Sequence, residues 1–371
     1  TSDWGEYSPA TKQSVFHYDV ELVNPKFTLT SDTLAYNTAT KIANIVGPSN
    51  IDGDGNHIYS ELGFYDTQLG QAELLNRSVL TNEGKNLTGD SLFYDRNKSF
   101  GEAFDNVVFT DTINKNMLTG NYCYYNELTS YALATDSAVA IDYSQGDSLF
   151  AHADTLKMMT FHLDTDSMYR ETHAYHKVRV YRTDVQAVCD SLVFSSKDSC
   201  LTMYRDPILW NANQQVLGEE IRVYMNDSTI DWAHVHNQTL LVEWVDSTLY
   251  NQVSGKDIKA YFKNGEMDKA EVEGSVRMVY YPMEKDSTIL YMNVSEASTV
   301  DVYLVNRKMK RLVMKTQPNG VLYPLEQAPA DRSRLDNFAW FDYIRPLNKE
   351  DIFHWRGKSA DQQLKKSSRR E

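Results

Sequence analysis

A short alternating pattern recurs along the first 125 residues. A small residue and an acidic or amide residue precede an apolar and then an aromatic position, as in Gly89-Asp90-Ser91-Leu92-Phe93-Tyr94. The pattern ends at Tyr7, Tyr36, Tyr65, Tyr94 and Tyr125, at intervals of 29, 29, 29 and 31 residues. A constant interval of this length is typical of repeat architectures. Weaker copies continue to about residue 300, so we predict about ten repeats.

Each repeat has a second half that also alternates between apolar and polar residues. The segment Asn106-Val107-Val108-Phe109-Thr110-Asp111 is one example, and turn-forming segments such as Asp95-Arg96-Asn97-Lys98 connect the halves. Alternation with period two and β-branched or aromatic residues indicate strands. The sequence therefore predicts an all-β protein with two or more strands and no helix per repeat. A solenoid and a jelly-roll-like pair of sheets both satisfy this pattern.

Alternation also predicts which side chains point inward. Leu92 and Tyr94 share one face of their strand, whereas Ser91 lies on the other face. The same two positions are large or apolar in most copies. The candidate residues for the inner wall are Leu34, Tyr36, Leu92, Tyr94, Val107, Phe109, Leu156, Met158, Leu192, Phe194, Ile221 and Val223.

The inner face has two interpretations. It forms a dry core, or it lines a groove that binds an apolar ligand. The positions differ widely in volume, from Tyr94 to Ala260, whereas a close-packed core needs matched volumes. A long array also has open sheet edges, which favour contacts with partners. Both observations point towards the groove.

Composition excludes several classes of protein. The 371 residues are 42% hydrophobic and carry a formal net charge of −14, which argues against a nucleic-acid partner. No apolar run approaches the roughly 18–20 residues that a membrane-spanning helix requires. Three cysteines provide neither a disulfide framework nor a metal knuckle. The chain starts at Thr1, within a repeat, so we expect further repeats and a signal sequence upstream.

Candidate chemistry is sparse. His234 and His236 share one strand face and could bind a metal, but neither they nor the pair His173 and His176 have an obvious third ligand nearby in the sequence. The many Asp-Ser and Asp-Thr pairs recur with the repeat and indicate turn capping. No nucleophile, phosphate-binding or dinucleotide motif is present. We therefore expect a non-enzyme without a cofactor or a metal.

The last 46 residues depart from the repeat. Residues 1–325 are predicted to form the β-repeat domain, with a division into 1–184 and 185–325 as one option. Residues 326–371 contain the aromatic run Phe338-Ala339-Trp340-Phe341-Asp342-Tyr343 and a basic end. We expect the aromatic run to cap the repeats and the basic end to be a solvated tail or a docking site for an anionic partner.

These features resemble the OstA-like proteins of the lipopolysaccharide-transport group, which includes LptA and the N-terminal domain of LptD. The similarity is strongest to long members of Bacteroidetes type and extends over about residues 1–325. We expect no outer-membrane barrel in this chain, which argues against an LptD-like translocon. The segments that carry the resemblance are Leu29–Asn37, Val46–Ile51, Ile58–Thr67 and Leu87–Asp95.

The resemblance implies a fold and an activity. The fold would be an elongated, open two-sheet jelly roll (a β-taco) with an apolar groove. The activity would be periplasmic binding and transport of lipopolysaccharide during outer-membrane assembly, with acyl chains shielded in the groove. Other lipopolysaccharide-transport proteins would bind through edge strands, and the protein would lie in the periplasm or near the outer membrane. The alternative function is that of a structural or scaffold repeat protein of the cell envelope, with a filled core and no lipid.

Overall fold

The computed structural model describes residues 1–25, 27–53, 55–144, 146–226, 229–284, 286–305 and 308–358. The predicted basic end starts at Arg356, and its residues from 359 onward lie outside the described residues. The chain divides into two compact units, with the boundary between Thr172 and His173. Strands dominate both units, and the four helices in the described ranges are single 3-10 turns. None of these helices has the length and apolar content that crossing a bilayer requires.

The strands have the following bounds. Unit 1 contains β1 (Trp4–Ser8), β2 (Gln13–Asn24), β3 (Phe27–Asn37), β4 (Ile42–Gly53), β5 (Asn56–Asp66), β6 (Gln71–Leu75), β7 (Val79–Asn82), β8 (Lys85–Thr88), β9 (Ser91–Asp95), β10 (Phe100–Asp111), β11 (Asn116–Asn126), β12 (Tyr131–Thr135), β13 (Val139–Asp142), β14 (Leu149–His152) and β15 (Thr155–Phe161). The unit boundary falls within β16 (Tyr169–Tyr181). Unit 2 continues with β17 (Val185–Ser195), β18 (Cys200–Tyr204), β19 (Ile208–Asn211), β20 (Gln214–Leu217), β21 (Glu220–Asn226), β22 (Thr229–Asp246), β23 (Leu249–Lys263), β24 (Glu266–Tyr280), β25 (Tyr291–Val305), β26 (Lys308–Lys315) and β27 (Asn319–Pro324). The 3-10 turns are Leu325–Gln327, Ala330–Arg332, Asp342–Ile344 and Asp351–Phe353.

The long strands of unit 1 bend and contribute to two layers. The register of β10 with β11 shifts between Phe104 and Val107, and β2 has an equivalent shift. The two residues at the bend of β10 have positive φ, 54° for Asp105 and 49° for Asn106. Asp and Asn enter this conformation more readily than other non-glycine residues. Asp105 and Asn106 therefore mark the point at which β10 passes from one layer to the other.

Two layers result from these bends. Layer 1 contains β6, β9, β12 and β15, and layer 2 contains β7, β8, β13 and β14; β2, β3, β4, β5, β10 and β11 contribute one half to each. Phe27 of layer 2 packs edge-to-face on Tyr65 of layer 1, with ring centroids 5.1 Å apart. A buried cluster that includes Leu29 and Leu34 spans the same layers. The predicted all-β, jelly-roll class is thus confirmed.

The pairing register places the repeated apolar position in one continuous row. Directly paired residues share a face of the sheet. Leu92, for example, pairs with Leu74 on one neighbouring strand and with Ala103 on the other. Every member of the row is buried, and the row consists of Leu34, Ile45, Gly63, Leu74, Leu92, Ala103, Cys123, Ala134 and Leu156.

Unit 2 repeats this design. Its layer 1 contains β18, β21 and β26, its layer 2 contains β19, β20 and β27, and β17, β22, β23, β24 and β25 contribute to both. β22 bends at Asn237 and Gln238, which have φ of 54° and 48°. Leu241 lies at the same distance from the bend of β22 as Phe109 does from the bend of β10, and Phe109 points between the layers. Leu241 therefore points inward as well, and the adjacent Leu240 faces outward. The buried row of layer 1 is Leu192, Met203, Ile221, Val235, Ile258, Val272 and Val300.

The aromatic C-terminal segment covers the outer face of layer 2 in unit 2. Trp210 of β19 and Phe341 are both completely buried in this contact. Gln215 bridges the two elements, because its Oε1 accepts the indole N–H of Trp210 at 3.2 Å and the backbone N–H of Phe341 at 2.7 Å. Its Nε2 donates to the Ala339 carbonyl at 2.9 Å. The segment therefore supplies apolar burial and satisfies the buried amide.

Phe341→Ala should destabilise unit 2. The substitution removes a fully buried aromatic ring, which typically lowers the free energy of unfolding by about 3–5 kcal/mol. Tyr343→Ala is the matched control, because Tyr343 lies in the same segment but is 47% exposed. Its effect should stay within about 1 kcal/mol. Calorimetric unfolding of the full chain measures both, and equal shifts for the two variants would contradict the packing role.

Gly63→Ala should destabilise unit 1, whereas Gly101→Ala should be tolerated. A Cβ on Gly63 would lie 2.4 Å from the Glu73 carbonyl oxygen, while a Cβ on Gly101 would meet its nearest atom at 3.6 Å. Overpacking against backbone costs about 1–3 kcal/mol. Chemical denaturation measures the free energy of unfolding of both variants. If the Gly63 variant were as stable as the Gly101 variant, the close packing of Gly63 against the neighbouring strand would be refuted.

Candidate functional site

The predicted wall residues divide into two groups by depth. Those at the Leu position of the repeat are buried, as is Val107 of the second half, and those at the Tyr position are partly buried, as is Phe109. The buried residues are Leu34, Leu92, Val107, Leu156, Leu192 and Ile221. The partly buried residues are Tyr36, Tyr94, Phe109, Met158, Phe194 and Val223.

The Tyr positions of unit 1 form a second row in layer 1, in which large and small side chains alternate. Tyr94 lies between Ala72 and Gly101, so each ring lies over a neighbour that leaves room for it. This pairing explains the mixture of volumes that favoured an open groove in the sequence. The complete row is Tyr36, Ala43, Tyr65, Ala72, Tyr94, Gly101, Tyr125, Ala132 and Met158.

Layer 2 supplies the opposite wall. Phe109 pairs with Leu87 on one side and Leu118 on the other, and the row continues in both directions. Apart from Phe109, these residues are not among the wall residues predicted from the sequence, although the alternation within each second half carries the same signal. The row consists of Leu22, Leu29, Ile51, Ile58, Leu80, Leu87, Phe109, Leu118, Ala140 and Ala151.

A cavity lies between the two walls of unit 1. Its volume is about 60 Å³. Tyr94 is the one predicted wall residue that lines it. The other lining residues are Phe27, Ile51, Gly53, Asn56, Ile58, Tyr65, Ala72, Leu80 and Arg96. The walls are in contact around Phe27 and Tyr65, and a larger ligand there requires them to separate.

The side chains that form the inner rows are uncharged. Burial raises the pKa of the Cys123 thiol to about 12, so this member of the buried row is neutral at physiological pH. In unit 2, burial likewise raises the pKa of Cys189 to about 12. Neutral thiols behave as small apolar groups.

The acidic residues of the repeat cap turns. Asp111 Oδ1 accepts the backbone N–H groups of Ile113 and Asn114 at 3.0 and 2.9 Å. At the end of β9, a hydrogen bond from Gln71 holds the pKa of Asp95 below its usual value and outweighs the opposing effect of burial. These carboxylates organise the backbone, as the sequence predicted.

Unit 2 contains an equivalent second row. Phe194 pairs with Leu201, which pairs with Val223. The side chains at the centre of this row are small. The row continues through Ala233, Ala260, Ala270, Val302 and Leu312.

Comparison with known proteins gives one family and a structural similarity. Residues 1–32 and 34–145 match the model of the family described as OstA-like protein. No curated protein matches the sequence. Among solved structures, the chain is similar to LptH of Pseudomonas aeruginosa, described as the LptA-homologous periplasmic component of the lipopolysaccharide transport device. That alignment has 14% identity, a TM-score of 0.27, and covers 33% of this chain and 82% of LptH. The family match confirms the resemblance expected from the repeat: the N-terminal region of this chain is similar to OstA-like proteins.

Proposed function

We propose that this protein binds the acyl chains of lipopolysaccharide, or of a related envelope lipid, between its two β layers and carries them through the periplasm during outer-membrane assembly. The observation that carries the proposal is the pair of continuous apolar rows that face each other across unit 1. Phe27 and Tyr65 already touch across this space. The OstA-like relationship supports the same assignment.

The rows match the chemistry of an acyl chain. Each methylene that leaves water for an apolar wall contributes about 0.8 kcal/mol. Successive rungs of layer 2, such as Leu80, Leu87 and Phe109, offer similar surfaces at each strand spacing of about 4.8 Å. A lipid tail would therefore find neighbouring positions of nearly equal energy and could move along the wall without returning to water.

Binding requires the layers to separate. The partly buried residues, including Tyr36, Tyr94 and Phe109, would move when the layers separate. They lose less packing than the fully buried row from Leu34 to Leu156, which we call the Leu row. The lipid would replace the lost contacts with its own apolar surface. The protein would act by binding, without a catalytic step or a cofactor.

A structural or scaffold role with a closed core is the second candidate. The small cavity of about 60 Å³ favours it. In that case the facing rows serve only to hold the layers together.

Edge strands offer a route to partners. An exposed edge can add a strand from another protein, and we propose that other lipopolysaccharide-transport proteins bind in this way.

Photo-crosslinking should separate the two functions. A photoreactive amino acid at Tyr94 or Phe109 faces the opposite layer, whereas one at Phe93 or Val108 lies on the other face of the same strand. We expect lipopolysaccharide adducts at the first pair and at most traces at the second, measured by immunoblotting after irradiation. Equal adducts at both pairs, or none at any position, would refute a lipid-lined cleft.

A charge in the layer 2 wall should weaken lipid binding. Leu118→Glu places a carboxylate on the inner row, and Met117→Glu makes a comparable change at the adjacent position of the opposite face. Because an acyl chain cannot compensate a desolvated charge, we expect Leu118→Glu to reduce affinity about tenfold or more, equivalent to about 1.4 kcal/mol.

The measurement is displacement of a fluorescent lipopolysaccharide analogue, with circular dichroism to verify that each variant keeps its strand content. Met117→Glu should bind as the unmodified protein does. If a folded Leu118→Glu variant retained full affinity, the proposed wall would be wrong.

A further inference from the structure

Two histidines and an aspartate meet on the outer face of layer 1 in unit 2. His234 and His236 flank the inward, buried Val235 on β22, so their side chains project to the opposite face. Asp257 of β23 pairs directly with His236. His234 Nε2 lies 3.1 Å from Asp257 Oδ1, and His236 Nδ1 contacts the same oxygen.

We propose that His234, His236 and Asp257 bind one divalent transition-metal ion, with Zn²⁺ as the best match. Their ligand atoms all lie within 4.8 Å of one another, and in the described ranges no other group of three or more potential ligands comes together. Zinc sits about 2.0–2.2 Å from imidazole nitrogen and carboxylate oxygen, which places tetrahedral ligands about 3.3 Å apart. Small side-chain rotations are therefore enough to admit the ion.

The donor set indicates the class of metal. Imidazole favours zinc, copper, iron and nickel over magnesium or calcium, which prefer an all-oxygen shell. Two imidazoles and one carboxylate leave a fourth position of a tetrahedral zinc ion for water. The His236 side chain is 45% exposed, so both the ion and this water have a path to solvent.

The backbone fixes the three ligands. His236 directly precedes the bend at Asn237 and Gln238, and the register of β23 with β24 shifts just before Asp257. Bulges of this kind re-aim side chains and are common next to functional sites. On the N-terminal side, Trp232 stacks on Tyr224 with ring centroids 4.1 Å apart, which restrains the strand that carries both histidines.

The surrounding charges are mixed. Glu220 and Glu273 occupy the same cross-strand row as His236 and Asp257, and they add negative charge near the ion. Arg222 and Lys259 flank His234. Arg222 is neutralised in part by Glu220, whose Oε1 accepts its Nε–H at 2.6 Å. The local field therefore does not oppose a cation.

Zinc titration of the full-length chain tests the proposal. After removal of bound metal with a chelator, isothermal titration calorimetry with Zn²⁺ should show one ion per chain. His234→Gln, His236→Gln and Asp257→Asn should each weaken binding by about 100-fold or more, because each removes a direct ligand. Co²⁺ should give the absorption bands of a tetrahedral site in the unmodified protein but not in these three variants.

The matched control is His57→Gln. His57 is an exposed histidine whose Nδ1 lies 2.7 Å from Asp52 in unit 1, so it reproduces a histidine–aspartate pair without the third ligand. Its loss should leave zinc affinity unchanged. Asp257→Asn retains the shape of the side chain, and circular dichroism verifies its fold. Absence of saturable one-to-one binding in the unmodified protein, or full affinity in the three folded ligand variants, would overturn the site.

Discussion

The register of antiparallel pairing is the constraint on which this structure depends. It places Leu34, Leu92 and Leu156 in one buried row although they are about 60 residues apart along the chain. A slip of one residue in any strand would turn its inner side chains to solvent, because side chains alternate with period two. The bends, such as the one at Asp105 and Asn106, transfer this register from one layer to the other.

The rows of inward side chains that follow from this register have different roles. The buried Leu row holds layer 1 together, since each of its members is shielded from solvent. The Tyr row and the layer 2 row also contain partly buried members such as Tyr94 and Leu80, and these two residues line the same cavity. An interior of this kind can serve as a core when closed and as an apolar wall when a ligand replaces part of the contact. The same hydrophobic surface thus accounts for stability and for the proposed lipid binding.

The outer faces are used independently of the cleft. In unit 2 the aromatic segment around Phe341 covers layer 2, and Gln215 satisfies its polar groups in the buried contact. On layer 1 the outward residues of β22 and β23 bring His234 and Asp257 together. Because inward and outward positions alternate, changes at these outer sites leave the inner rows in place. The proposed metal site and the proposed lipid cleft can therefore be tested separately.

The sequence by itself determined the repeat, the all-β class and the inward direction of residues such as Leu92 and Tyr94, because alternation and turn chemistry are local properties. It did not predict that Tyr94 packs between Ala72 and Gly101, since that depends on which strands become neighbours. For the same reason it identified His234 and His236 but not Asp257, which another strand supplies 21 residues later. Cross-strand register, the closure of the layers and the position of the aromatic segment are long-range properties. Only the tertiary structure decided them, because they arise from pairing between distant parts of the chain.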